Sequence, residues 1–116
     1  MSAQVLHIEN ASALIEHEPR DVQAQIQAGE AFLVDVREVN EFENERIPGA
    51  FLMPLSFFDA QNFPYVSGQR VILMCAVGKR SAAAAKQLMN AGFGTVHHMK
   101  GGLNAWKEHG LSTDQD

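Results

Sequence analysis

The chain of 116 residues has a single cysteine, Cys75, so it can make neither an intrachain disulfide nor a multi-thiolate metal centre. A reducing, cytoplasmic setting is the expectation that follows. No apolar run approaches the ~18 residues that span a bilayer, which argues against an integral membrane protein. The opening residues, Met1 to Ile8, lack the basic segment and long apolar stretch of a secretory signal. Positive charge is also scarce. Nine Lys and Arg face fourteen Asp and Glu, for a formal net charge of −5. Phosphate-tracking surfaces need clustered Lys and Arg, so no nucleic-acid partner is expected. What the chain does have is 46% apolar and 20% charged residues, a composition that excludes disorder. Its length suits one domain burying roughly two-thirds of its unfolded surface, enough for a core without staples.

Periodicity must supply the organisation, because no repeat, charge block or Ser/Gly linker divides the sequence. Residues 1–12 read as an arm or a short edge strand, with Val5, Leu6 and Ile8 as its apolar members. A brief apolar stretch, Ala13–Ile15, precedes Pro19, which suits a first helical turn. Val22, Ile26 and Ala28 mark one face of a helix that ends at Gly29. Ala31–Val36 predicts a buried strand, and the acidic stretch Glu38–Glu45 a short helix with Val39 and Phe42 inward. Ile47-Pro48-Gly49 signals a turn, Ala50–Pro54 a short strand, Ser56–Phe63 a Phe-rich helix, and Pro64–Gln69 a loop. Val71–Cys75 reads as a central parallel strand. Ser81–Ala91 follows as an alanine-rich helix with Ala82, Ala85, Leu88 and Met89 on one face and Gly92 as its cap. Thr95–Met99 predicts a last strand, and Leu103 and Trp106 a closing helix between Gly102 and Gly110. The tail from Ser112 to Asp116 is expected to fray. Strands alternating with helices imply an α/β fold, with a mainly parallel central sheet and helices on both faces. In such folds ligands bind beyond the carboxyl ends of the strands.

Cys75 sits at such an end, in Cys75-Ala76-Val77-Gly78-Lys79-Arg80-Ser81. A helix start offers free N–H groups and a positive dipole end. A short loop curled about the sulfur can form an anion nest, and Gly78 supplies the backbone freedom for that curl. Lys79 and Arg80 add positive charge. All three favour thiolate over thiol and lower the pKa from the free value of ~8.5. The same cradle suits a persulfide anion as a covalent intermediate. The bland alternative is a small hydrophobe closing a core strand. A Gly-containing basic loop and a helix start, placed directly after the cysteine, favour chemistry instead.

At these residues the chain resembles a single-domain rhodanese, or thiosulfate sulfurtransferase. The Cys-x-x-Gly-x-Arg-Ser loop resembles that family's active-site loop. Asp35-Val36-Arg37-Glu38 with Glu41-Phe42 and Ile47-Pro48-Gly49-Ala50 resembles its upstream signature, and Gly101-Gly102-Leu103-Asn104-Ala105-Trp106 its closing one. The resemblance covers about residues 13–110, leaving 111–116 as a polar tail. One departure is Arg46, where the family commonly has His, and it reads as a surface variation.

The resemblance implies a rhodanese-like domain whose Cys75 attacks the outer sulfur of thiosulfate, or of a persulfide or polysulfide donor. Sulfite leaves, and a thiophile (cyanide in an assay, a thiol in the cell) then removes the sulfur from the Cys75 persulfide. It further implies that Arg80 and Lys79 steer anionic donors. The N–H groups of Ala76, Val77, Gly78, Lys79, Arg80 and Ser81 would cradle the transferred sulfur. No metal or organic cofactor is implied; a sulfur-relay protein could serve as partner. Two rivals stand beside it: a non-catalytic docking or regulatory module, and a cysteine phosphatase or arsenate reductase. Cysteine phosphatases carry Cys-x5-Arg, whereas here four residues, 76–79, separate Cys75 from Arg80. The shorter loop suits a sulfur atom better than three phosphoryl oxygens.

The remaining candidates read as structural. Asp35 and Arg37 end a strand near the site, with Asp35 tying loop N–H groups and Arg37 pairing with a carboxylate such as Glu41. Their alternative role is in the pocket. His97 and His98 are adjacent in a strand, so they point to opposite faces and make a poor metal pair. Phe57, Phe58 and Phe63 either wall an acceptor site or pack under a loop. Trp106 is a core anchor, and the acidic run 38–45 a solvated helix face.

Overall fold

The computed structural model describes residues 3–9 and 12–115. Residues 1, 2, 10, 11 and 116, parts of the expected arm and tail, lie outside it. The elements run β1 (Gln4–Glu9), β2 (Ser12–His17), α1 (Pro19–Gln27), β3 (Ala31–Asp35), α2 (Val39–Asn44), β4 (Glu45–Arg46) and β5 (Phe51–Leu52). After two 3-10 turns, Leu55–Phe57 and Ala60–Asn62, come β6 (Arg70–Met74), α3 (Lys79–Asn90), β7 (Thr95–Met99), α4 (Gly102–Glu108) and β8 (Asp114–Gln115). The six-stranded sheet has the order β1-β2-β7-β6-β3-β5. Every neighbouring pair in it is parallel except β1 with β2, so the expected α/β architecture with a mainly parallel sheet is what forms.

Strict alternation along the central strands builds two cores. Val34, Leu73 and Cys75 face α3, where Ala84, Ala85 and Leu88 meet them. Leu33, Ile72 and Met74 face the other side, against Val22 of α1 and Leu103 and Trp106 of α4. Each fully buried Leu or Ile contributes roughly 1.5–3 kcal/mol over leaving it in water. The alanines of α3 let that helix lie close on the sheet, which sets its first turn directly over the end of β6. Three parallel strands, β3, β6 and β7, release their chain at one rim, and there the candidate site assembles.

Several expectations need correction. The apolar patch at residues 13–15 belongs to a full strand, Ser12–His17, paired with β7 on one side and with β1 on the other. Val5 to Ile8 lie in the antiparallel edge strand β1, which is the edge-strand reading of that segment rather than the arm. The Phe-rich segment is not one helix but two 3-10 turns broken at Phe58. Phe58 and Phe63 pack on the α3-side core, Phe63 edge-on to Phe93 at 5.7 Å between ring centres, while Phe57 projects into solvent. Val39 is exposed rather than inward, because α2 buries none of its residues. Ala28 is exposed too, and Gln25 takes the buried place on α1. Helix α3 begins at Lys79, two residues early, and buries Ala84 rather than Ala82. The tail is held: Trp106 Nε1 donates to Ser112 O at 2.8 Å, and Asp114–Gln115 pair with β4.

The α1 side of the sheet carries a polar chain with a fixed direction. Arg70 Nη1 donates to Gln25 Oε1 (2.7 Å), and the Gln25 amide faces His17 Nδ1 (3.4 Å). His17 Nε2 then lies 2.9 Å from His97 Nδ1. Each neutral ring carries one proton and one of these lies between the rings, so adding another sets two N–H groups facing each other and buries a cation near Arg70. Burial, Arg70 and His17 accordingly hold His97 down from 6.5 to about 4, and burial foremost lowers His17 as well. A folded value below the unfolded one means that the unfolded chain takes up protons first as pH falls. Stability from this pair is whole above pH 6.5 and lost toward about 4. The expected loss is on the order of 2 kcal/mol, read as the pH dependence of the urea midpoint. His97→Gln flattens that slope; an unaltered slope would remove the pair as its source.

Candidate functional site at the start of α3

The loop after β6 curls around the Cys75 sulfur. Gly78 N–H donates to Sγ at 3.1 Å and Ser81 N–H at 3.3 Å, and the Ser81 hydroxyl lies 3.6 Å from it. Gly78 makes the curl by adopting φ +105, a left-handed conformation that costs a residue with a Cβ about 1–2 kcal/mol. Cys75 itself is 0% exposed. Burial pushes its thiol pKa up, and the Ser81 N–H and hydroxyl, the Gly78 N–H and the Val77 N–H together outweigh that and bring it below the ordinary value. An inert core cysteine has no reason to collect these donors.

The back of the loop is anchored by residues of the Gly101–Trp106 motif. Leu103 N–H donates to Cys75 O (2.8 Å) and Asn104 N–H to Ala76 O (3.0 Å). Gly102 permits this approach: a Cβ there would stand 2.2 Å from Cys75 O and 2.6 Å from the Ala76 carbonyl carbon. Two glycines directly before a helix, Gly101-Gly102, were the available signal of so close a contact.

The two basic residues differ from each other. Lys79 is exposed. Arg80 is held by Glu41 in a two-pronged pair, Nη1 to Oε1 at 2.8 Å and Nη2 to Oε2 at 2.9 Å, each side chain about a third exposed. The Arg80 hydrogen bonds foremost pull Glu41 down from 4.5 to about 2. Arg80 is therefore not the free cation that the loop suggested, and the groups that hold the Cys75 thiol down are the loop N–H groups and the Ser81 hydroxyl.

Arg37 finds a different carboxylate from the expected one. It grips Asp35, with Nε 3.1 Å from both oxygens and Nη2 2.8 Å from Oδ2, and both side chains are buried. Its Nη2 also donates to Glu45 O at 2.7 Å, which fastens the end of α2. Asp35 accepts the Arg37 N–H as anticipated. This pair braces α2, and α2 carries the Glu41 that restrains Arg80.

The acidic run is correspondingly more than a solvated face. Glu38 accepts from Ser56 Oγ (2.6 Å), and Glu45 accepts from Lys107, Thr113 and Gln115. Arg46 donates to the Phe42 and Glu43 carbonyls at 3.1 Å each, so it caps α2 from its half-buried place. His97 and His98 do face opposite sides of the sheet. His98, however, is no ordinary strand residue: its ring joins Ser81 to Glu16, with Nδ1 2.8 Å from Ser81 Oγ and Nε2 3.1 Å from Glu16 Oε2. Sequence spacing could not place those three together, for they lie on β2, α3 and β7.

Comparison with known proteins bears directly on this loop. Residues 18–109 match the family described as the rhodanese-like domain. The chain belongs to that family. An uncharacterized protein of Synechocystis sp. is 40% identical over 95 residues, 82% of this chain and 53% of the relative. The chain thus spans about half the length of that relative. A sulfurtransferase of Allochromatium vinosum is 33% identical over 82 residues, covering 71% of this chain and 77% of the relative. Among solved structures, thiosulfate sulfurtransferase from Pseudomonas aeruginosa superposes with a TM-score of 0.72 at 30% identity, over 86% of this chain and 20% of that one. A rhodanese-like domain with sulfurtransferase relatives is therefore the established frame for the Cys75 loop. Among the described residues no helix is long and apolar enough to cross a membrane.

Proposed function

We propose that this rhodanese-like domain moves a sulfane sulfur from an anionic donor to a thiophilic acceptor through a persulfide on Cys75. The observation that carries the reading is the sulfur cradle: two backbone N–H groups and a hydroxyl converge on one Sγ at the start of a twelve-residue helix. Those groups favour a charged sulfur, and the thiolate is the nucleophile. With thiosulfate as donor, Sγ forms a bond to the outer sulfur while the donor's S–S bond breaks. Sulfite leaves with the electron pair of that bond. The terminal sulfur of Cys75–S–S⁻ then bonds to cyanide or a thiolate, and Sγ departs again as a thiolate. Sulfur enters and leaves in separate half-reactions, which gives ping-pong kinetics.

In this reading the cradle holds both anions of the cycle, thiolate and persulfide. Lys79 supplies the solvent-facing charge that meets a donor. Arg80, already bound to Glu41, shapes the loop's flank more than it binds a substrate. Thiosulfate, polysulfides, low-molecular-weight persulfides and a protein persulfide all meet the same requirements, and a sulfur-relay protein is the partner such chemistry would use in a reducing cytoplasm. The reading needs no cofactor.

Mass spectrometry of the intact chain after thiosulfate treatment tests it. The expected result is the gain of one sulfur atom on Cys75, lost again on adding cyanide. An unmodified Cys75 under excess donor would refute the proposal.

A further inference from the structure

We infer that Glu16, His98 and Ser81 form a proton relay that takes the Cys75 thiol proton and holds it while the sulfur is charged. The inference rests on the sulfur-transfer reading and adds to it where the proton goes. The four groups stand in line: Glu16 Oε2 to His98 Nε2 is 3.1 Å, His98 Nδ1 to Ser81 Oγ is 2.8 Å, and Ser81 Oγ to Cys75 Sγ is 3.6 Å. His98, Ser81 and Cys75 are all buried.

Counting protons shows that this line has two satisfied states. With a neutral thiol, S–H donates to Ser81 Oγ, the hydroxyl donates to His98 Nδ1, and His98 Nε2–H donates to the Glu16 carboxylate. With a thiolate, the hydroxyl turns to donate to Sγ and His98 Nδ1–H donates to Ser81 Oγ. His98 Nε2–H still faces Glu16. Passing between the two states moves one proton from sulfur to imidazole: Ser81 gives its own to His98 and takes the thiol's. No bond to carbon changes and no electron is transferred. The second state is an imidazolium–thiolate pair bridged by a hydroxyl, with Glu16 balancing the ring charge.

The surroundings favour coupling between the two ends. The titratable groups facing His98 are Glu16 on β2 and, through Ser81 on α3, Cys75 at the end of β6; His17 on β2 adds a repulsion. Burial lowers His98 while Glu16 raises it, and the net is below 6.5. The ring therefore charges readily only when the sulfur beyond Ser81 is negative. Persulfide keeps that negative charge, so the relay stays loaded through both half-reactions.

Iodoacetamide alkylation rates of Cys75 against pH test the relay in the full chain without any sulfur donor. This readout does not depend on sulfur transfer, so the two proposals can fail separately. His98→Gln keeps a partner for Ser81 but cannot hold the extra proton. Its alkylation midpoint should rise by about one pH unit, a tenfold smaller thiolate fraction on the acid side. Glu16→Gln should shift the midpoint the same way by less. As a check without substitution, NMR titration of His98 should show its midpoint falling once Cys75 is blocked as a mixed methyl disulfide. Unmoved midpoints in folded His98→Gln, or a His98 titration indifferent to the block, would overturn the relay and leave Ser81 and His98 as packing residues.

Discussion

Cys75→Ser is expected to lower thiosulfate:cyanide sulfur transfer by about a thousandfold or more, because the covalent carrier is gone. A hydroxyl in the same cradle stays protonated near neutral pH and forms no link to a sulfane sulfur. Folding should barely notice. Ser retains an acceptor for the Gly78 and Ser81 N–H groups, so the loss in unfolding free energy should be about 1 kcal/mol or less. Steady-state assays of the purified variant, set beside its urea midpoint, decide the matter. Full turnover in the variant would end the persulfide mechanism. Turnover absent in the native chain, with a partner still bound by the variant, would favour the docking module instead.

Gly102→Ala carries the largest stability effect expected for a single methyl group. The added Cβ would stand 2.2 Å from Cys75 O and 2.7 Å from Ala76 O, at a backbone φ of +59. Both neighbours are backbone atoms, and Leu103 N–H and Asn104 N–H bond to those same carbonyls. Relief therefore requires breaking the anchors of the reactive loop. Strain and lost hydrogen bonds together should cost about 3–5 kcal/mol, seen as a fall in the urea midpoint. Gly94→Ala is the control, since nothing lies within 4 Å of its Cβ position; its change should stay within about 0.5 kcal/mol. Equal stability of the two variants would show that the α4 entrance does not brace the loop.

How much of this could be read in advance depends on the range over which each contact acts. The compact apolar runs in Ala31–Val36 and Val71–Cys75 are local signals, and they correctly announced buried parallel strands with helices on both sides. The cradle is equally local, since Gly78 and Ser81 lie three and six residues from the sulfur they bond. Strand β2 was harder to see. Its buried positions include Ser12 and His17, so its apolar run looked too short for a strand. The partners that tune the site were hidden for a different reason. Glu41 lies 39 residues before Arg80, and Glu16 lies 82 before His98. No spacing rule joins such pairs; they meet only after β2, β6 and β7 are laid side by side and α3 is docked. The local cues at Arg80 gave no sign of its pairing with Glu41, because a basic loop says nothing of an acidic neighbour supplied by another helix.

The clasp around Glu45 ties the end of α2 to the C-terminal segment. Its carbonyl is gripped by Arg37, while its carboxylate receives Lys107, Thr113 and Gln115 from the C-terminal segment. Helix α2 is thus moored at one end by residues near position 115 and at the other by the guanidinium of Arg80. Trimming the last few residues would slacken that mooring, and the slack would be felt beside the sulfur, although no trimmed atom comes near it.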